Sequence, residues 1–90
     1  GGKRDPITAR NLKAEGVKAG VPDIFLPVAR GQYHGLYIEL KTRKGKLQKN
    51  QKEWLNALNE EGYAINVCYG WLEARETIEK YLGLGEGERK

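Results

Sequence analysis

The sequence has one cysteine, one histidine and no apolar run approaching the roughly 20 residues that span a bilayer. A single Cys68 excludes an intramolecular disulfide and a cysteine-rich zinc site, which makes a reducing, intracellular setting the expectation. A single His34 leaves zinc-protease motifs and histidine-based triads without their parts. There is no charged-then-apolar start of the signal-peptide kind, and Gly1-Gly2 reads as a cloning remnant or as chain trimming. What the chain does have fits one small domain: 90 residues, 39% hydrophobic and 9% aromatic, enough for one modest core and too much for a wholly disordered chain.

Charge is unevenly placed. Residues 1–52 hold 12 Lys/Arg against 4 acids, and residues 53–90 hold 4 Lys/Arg against 8 acids. From Lys41 to Lys52 there are six cations (Lys41, Arg43, Lys44, Lys46, Lys49, Lys52) and no acid. A solvated basic loop explains such a run by itself, and so does a surface that meets a polyanion.

The expected order is a hairpin, a helix, a strand and a helix. A short helix over Ile7–Ala14 is stopped by Gly16. Asp23–Val28 reads as a strand with Pro27 near its end, and Ala29–His34 as a hairpin loop. Gly35–Lys41 alternates, with Leu36, Ile38 and Leu40 on one face and Tyr37, Glu39 and Lys41 on the other. After a turn at Gly45, Leu47–Glu60 carries Leu47, Trp54, Leu55 and Leu58 at helical spacing and ends at Gly62. Tyr63–Tyr69 is apolar apart from Asn66, as for a strand near a sheet centre. Trp71, Ala74, Ile78 and Leu82 mark a last amphipathic helix, and 83–90 reads as a frayed tail.

Three polar residues interrupt these patterns. Glu39 and Lys41 share a strand face about 6–7 Å apart, and a hairpin brings Asp23 beside Glu39 across roughly 4.8 Å. Paired carboxylates supplemented by backbone carbonyls and water suit Mg²⁺ or Mn²⁺. Taken singly, each is ordinary: a solvated Glu/Lys pair, and an Asp in a turn after Pro22. Gln51 is the fourth exception. It lies on the apolar stripe of its helix, where a buried amide needs partners, either backbone or the carboxylate site and its water.

These residues match a pattern. Lys18-Ala19-Gly20-Val21-Pro22-Asp23, Ile38-Glu39-Leu40-Lys41 and Gln51-Lys52-Glu53-Trp54 resemble the PD-(D/E)xK nucleases, and more specifically the virus-type replication–repair nuclease (VRR-NUC) domain, from about Leu12 to Leu82. The resemblance implies an α/β fold: a restriction-endonuclease-like core with a small mixed β-sheet flanked by helices, in one domain over 1–90 with its core at about 12–82. It implies Asp23 and Glu39 as metal ligands with the backbone carbonyl of Leu40, Lys41 positioning water or stabilising the phosphate charge, and Gln51 supporting the site. Relatives occur as small phage proteins and as the catalytic domain of a large eukaryotic cross-link repair nuclease. Many members of the wider superfamily add a metal-binding Glu on a helix before the first core strand. Here Glu15 is the only glutamate before Asp23, and beside Gly16 it reads as surface.

The resulting expectation is an Mg²⁺- or Mn²⁺-dependent DNA endonuclease, structure-selective for branched DNA such as four-way junctions. Arg43, Lys44, Lys46 and Lys49 would hold the flanking backbone without reading sequence. A homodimer presenting two sites is expected, its interface marked by Trp71 and Tyr81, with no membrane partner. The alternatives are a catalytically inactive nucleic-acid-binding module of nuclease fold and a phage structural or adaptor protein. Tyr33, Tyr37 and Tyr69 read as core or sheet packing rather than base stacking, Tyr37 being the one that shares the Glu39 face. Cys68 reads as a buried apolar thiol, and His34 as a loop residue facing solvent or phosphate.

Overall fold

A computed structural model describes residues 19–85. The expected Ile7–Ala14 helix, Glu15 and the last residues of the tail lie outside them. Three strands form one mixed sheet in the order β1-β2-β3: β1 (Ile24–Leu26), β2 (Leu36–Lys41) and β3 (Ala64–Tyr69). Helix α1 (Lys49–Glu60) links β2 to β3, and α2 (Trp71–Leu82) follows β3.

Strand β1 is shorter than the expected Asp23–Val28 because Pro22 and Pro27 bracket it, and proline has no N–H for the ladder. It pairs antiparallel with β2, Ile24 opposite Ile38, Phe25 opposite Tyr37 and Leu26 opposite Leu36. Strands β2 and β3 run parallel, Glu39 beside Val67 and Lys41 beside Tyr69, so a crossover is required and α1 supplies it. Helix α1 stops at Gly62, whose φ of 100° is open to glycine. The Gly62 N–H donates to the Asn59 carbonyl at 3.0 Å and the Tyr63 N–H to the Leu58 carbonyl at 3.1 Å, a Schellman closure that turns the chain into β3.

The two sheet faces have separate occupants. Leu36, Ile38 and Cys68 pack with Ala74 and Tyr81 of α2, joined by Ile24, Leu26, Leu40, Ala64 and Ile78. The opposite face carries Tyr37, Glu39 and Lys41 and is met by α1, whose Gln51 hydrogen-bonds Glu39. Covered on both sides, β2 is nearly apolar-strand-like in burial, and its one buried charged residue is Glu39.

Four expectations change. The strand with the central place is β2, whereas β3 lies at the sheet edge among the described residues. Its apolar character comes from helices on both faces rather than from strands on both sides. The inward stripe of α2 is Ala74, Ile78 and Tyr81, while Trp71 is 62% exposed and Leu82 is also exposed. Trp71 is the first residue of the helix, with one residue between it and the end of the strand. Tyr81 is buried, its hydroxyl donating to the Val28 carbonyl at 2.6 Å, so it cannot belong to an exposed interface patch. Tyr69 is exposed rather than packed, and Tyr33 is partly exposed with its ring 6.4 Å from that of Tyr81.

Candidate active site

The β1–β2 register decides where the carboxylates meet. With Ile24 opposite Ile38, the preceding residue, Asp23, falls opposite Glu39. Asp23 Oδ2 accepts the Leu40 N–H at 2.8 Å, which fixes the Asp23 carboxylate against the β2 backbone. Asp23 stays exposed while Glu39 is buried, its side chain 4% accessible.

Glu39 is asymmetrically partnered. Its Oε2 accepts from Gln51 Nε2 at 2.9 Å and lies 3.7 Å from Lys41 Nζ. Its Oε1 is buried with no hydrogen-bond partner among the described residues. An ionised oxygen in that position lacks compensation for its lost water, an arrangement that native structures rarely tolerate without a functional reason. Burial pushes the Glu39 carboxyl above the usual glutamate range, the Asp23 charge pushes it the same way, and Lys41 offsets part of the rise.

Gln51 is held at both ends. Its Oε1 accepts the Gln48 N–H at 2.8 Å at the start of α1, and its amide nitrogen donates to Glu39. This double use fixes the amide orientation and ties the first turn of α1 to the carboxylate. The glutamine on the apolar stripe is therefore satisfied by the carboxylate site and by backbone at once. Lys41 is 14% exposed and lies on the same face as Glu39, two residues on.

The donor set fits a hard divalent cation: two carboxylates in register, one with an orphaned buried oxygen, and a backbone carbonyl at Leu40 between Glu39 and Lys41. Among the described residues no group of three His, Cys, Asp or Glu comes together, so water would complete any coordination shell. Arg43, Lys44, Lys46 and Lys49 are exposed, on the β2–α1 connection and the first turn of α1, immediately beyond Lys41. Lys49 lies 3.6 Å from Glu53, an exposed pair of little energetic consequence.

Cys68 is buried, with its Sγ 3.3 Å from Thr77 Oγ1, as an apolar thiol with one weak partner. His34 is exposed, its ring edge-on to Tyr63 with centroids 5.6 Å apart. Sequence reasoning passed over two features. One is the Asp23–Leu40 amide contact, which only the register reveals. The other is Phe25, which stacks on Tyr37; its signal was available, since it lies two residues from Asp23 as Tyr37 does from Glu39.

The VRR-NUC domain family matches residues 4–71, a span that holds Asp23, Glu39, Lys41 and Gln51 together. This chain belongs to the VRR-NUC family. A solved structure described as a VRR_NUC domain protein is 40% identical, with a TM-score of 0.76. The similarity covers 88% of this chain but 66% of that one, so this VRR-NUC chain spans just under two thirds of its neighbour's length. None of the curated proteins matches it. The VRR-NUC domain is a nuclease-type domain, and the small mixed sheet with two helices agrees with that neighbour's fold. No helix among the described residues is long and apolar enough to cross a membrane.

Proposed function

We propose that this VRR-NUC domain is an Mg²⁺- or Mn²⁺-dependent DNA endonuclease, selective for branched DNA such as four-way junctions and acting as a homodimer. The observation that carries the reading is the Asp23–Glu39 pair: Glu39 Oε1 is buried with no partner among the described residues, while its Oε2 lies 3.7 Å from Lys41 Nζ. Asp23, Glu39 and the Leu40 carbonyl would hold the cation. When bound, such an ion lowers the pKa of its water and offsets charge on the scissile phosphate.

The chain's own residues supply the rest. Gln51, anchored on Gln48, holds the Glu39 carboxylate in one orientation. Lys41 keeps a positive charge where negative charge grows during hydrolysis, and its partial burial strengthens that effect. Arg43, Lys44, Lys46 and Lys49 bind the flanking sugar–phosphate backbone independently of sequence. A small domain covers few phosphates, and a two-fold dimer would set two sites at a fixed separation, which suits paired strands of a junction.

The experiment is a divalent-metal titration on a four-way junction and a linear duplex of equal length, with Asp23→Asn as control. Cleavage is expected to need the metal and to be lost in the variant, whose far-UV circular dichroism stays unchanged. Full cleavage by Asp23→Asn at millimolar Mg²⁺ would overturn the site. DNA binding without cleavage at any metal concentration would make the domain a binding module instead.

A further inference from the structure

The face of the β1–β2 ladder that presents the carboxylates presents a second cross-strand pair. Phe25 is directly opposite Tyr37, two residues along each strand from Asp23 and Glu39. Two strand residues place the aromatic pair about 7 Å from the carboxylate pair, on the same side of the sheet. The rings are stacked, with centroids 4.4 Å apart and planes 16° apart. Tyr63 meets both edge-on, at 6.0 Å from Phe25 and 5.3 Å from Tyr37. Gly35 leaves room for the Phe25 ring, since a Cβ at that position would come within 3.0 Å of Phe25 Cε1.

Phe25 is thus positioned by three neighbours and still 45% exposed. It takes no part in the core on the other face. Along β2 the order is aromatic pair, carboxylates, Lys41, then the cationic run from Arg43 to Lys49. A strand of nucleic acid following β2 would meet phosphate-binding cations on one side of the carboxylates and an aromatic face on the other.

We propose that Phe25, backed by Tyr37, is a stacking platform for an unpaired nucleobase next to the phosphate that lies beside Lys41. The proposal rests on the nuclease reading and narrows its substrate to strands with a splayed or unpaired nucleotide at the cleavage position. A base inside a duplex has both faces covered by its neighbours and cannot reach the ring. An unpaired base can, and stacking on an aromatic side chain is tolerant of base identity. Branch points expose such bases, so the platform gives a physical route to structure selectivity without base-edge contacts.

The test measures binding of the full chain in EDTA, where cleavage is blocked, by fluorescence anisotropy. The probes are a labelled single-stranded oligonucleotide, a splayed-arm duplex and a blunt duplex of equal length. Phe25→Leu should weaken binding to the first two about tenfold, equivalent to ~1.4 kcal/mol, and change blunt-duplex binding less than twofold. Phe25→Trp, with a larger ring, should tighten single-strand binding and leave blunt-duplex binding unchanged; it decides the matter if Phe25→Leu folds poorly, unchanged single-strand binding by Phe25→Trp then overturning the platform. Equal losses on all three probes, or no loss on the single strand, would overturn the platform. The two readings fail separately. Absence of cleavage in Mg²⁺ with the Phe25 effect intact removes the nuclease reading alone. Normal cleavage with no Phe25 discrimination removes the platform alone.

Discussion

Replacing Glu39 with glutamine should abolish cleavage and, in the metal-free protein, raise stability. Glu39 is buried beside Asp23, and its Oε1 has no partner among the described residues. Leaving a buried polar group unsatisfied costs ~1–3 kcal/mol, more when it is charged. The amide of Glu39→Gln has nearly the same shape, keeps an oxygen for Gln51 Nε2, leaves a neutral N–H group rather than a charged oxygen at the unpartnered position and carries no charge for Asp23 to repel. It gives up the 3.7 Å contact with Lys41, which returns part of the gain. A net stabilisation of ~1–2 kcal/mol follows, and each 1 kcal/mol shifts Tm by roughly 4–8 °C in a domain of this size. The effect depends on pH. Because the folded-state pKa of Glu39 lies above the unfolded one, its contribution favours folding at acidic pH and is lost as pH rises through the raised value. The gap between variant and wild type should therefore be largest near pH 8 and close as the solution becomes acidic. Mg²⁺ should reverse the order at pH 8. It stabilises only a chain that binds it, by ~2.7 kcal/mol at a hundredfold excess over Kd. Thermal melts of both proteins in EDTA and in Mg²⁺, across pH 5 to 8, read all of this. A variant less stable than wild type at pH 8 in EDTA, or equally stabilised by Mg²⁺, would refute the reasoning.

Other outcomes follow from the same geometry. Lys41→Ala should lower kcat far more than DNA affinity, whereas Lys46→Ala or Lys49→Ala should weaken binding to every sequence and reduce the salt slope by about one unit each, as steady-state kinetics and salt-dependent anisotropy will report. Equal losses of turnover and affinity in all three would mean that Lys41 only binds backbone. Gln51→Ala releases both Glu39 Oε2 and the Gln48 N–H, so the Mg²⁺ concentration needed for half-maximal cleavage should rise about 10–100-fold, as for other residues that orient a ligand. An unchanged metal requirement would make that contact incidental. Light scattering at micromolar protein should give a dimer mass, with a four-way junction outcompeting linear duplex. A monomer that cuts both equally would remove the junction reading and leave the nuclease intact.

Much of this protein is written in local pattern. The alternation from Leu36 to Lys41, the helical spacing of Trp54, Leu55 and Leu58, and the glycine stop at Gly62 fix element type because each depends on period or backbone freedom alone, whereas Leu47, expected to open the helix, lies before its start at Lys49. The same holds for the motif residues, since Asp23, Glu39, Lys41 and Gln51 each break a local pattern and together resemble the VRR-NUC domain, whose family match spans them. Other properties are not local. Whether β3 or β2 takes the centre of the sheet depends on which edges pair, and apolar content cannot distinguish burial under helices from burial between strands. That Tyr81 rather than Trp71 turns inward depends on where the helix axis settles over Leu36, Ile38 and Cys68. The unpartnered oxygen of Glu39, the two-ended anchoring of Gln51 and the stacking of Phe25 on Tyr37 exist only once the β1–β2 register and the crossover of α1 bring distant residues within hydrogen-bond or ring contact. Sequence determined which chemistry-bearing groups the chain carries; tertiary structure decided which atoms of those groups are satisfied and which are left open, because burial and partnership are properties of the packed chain.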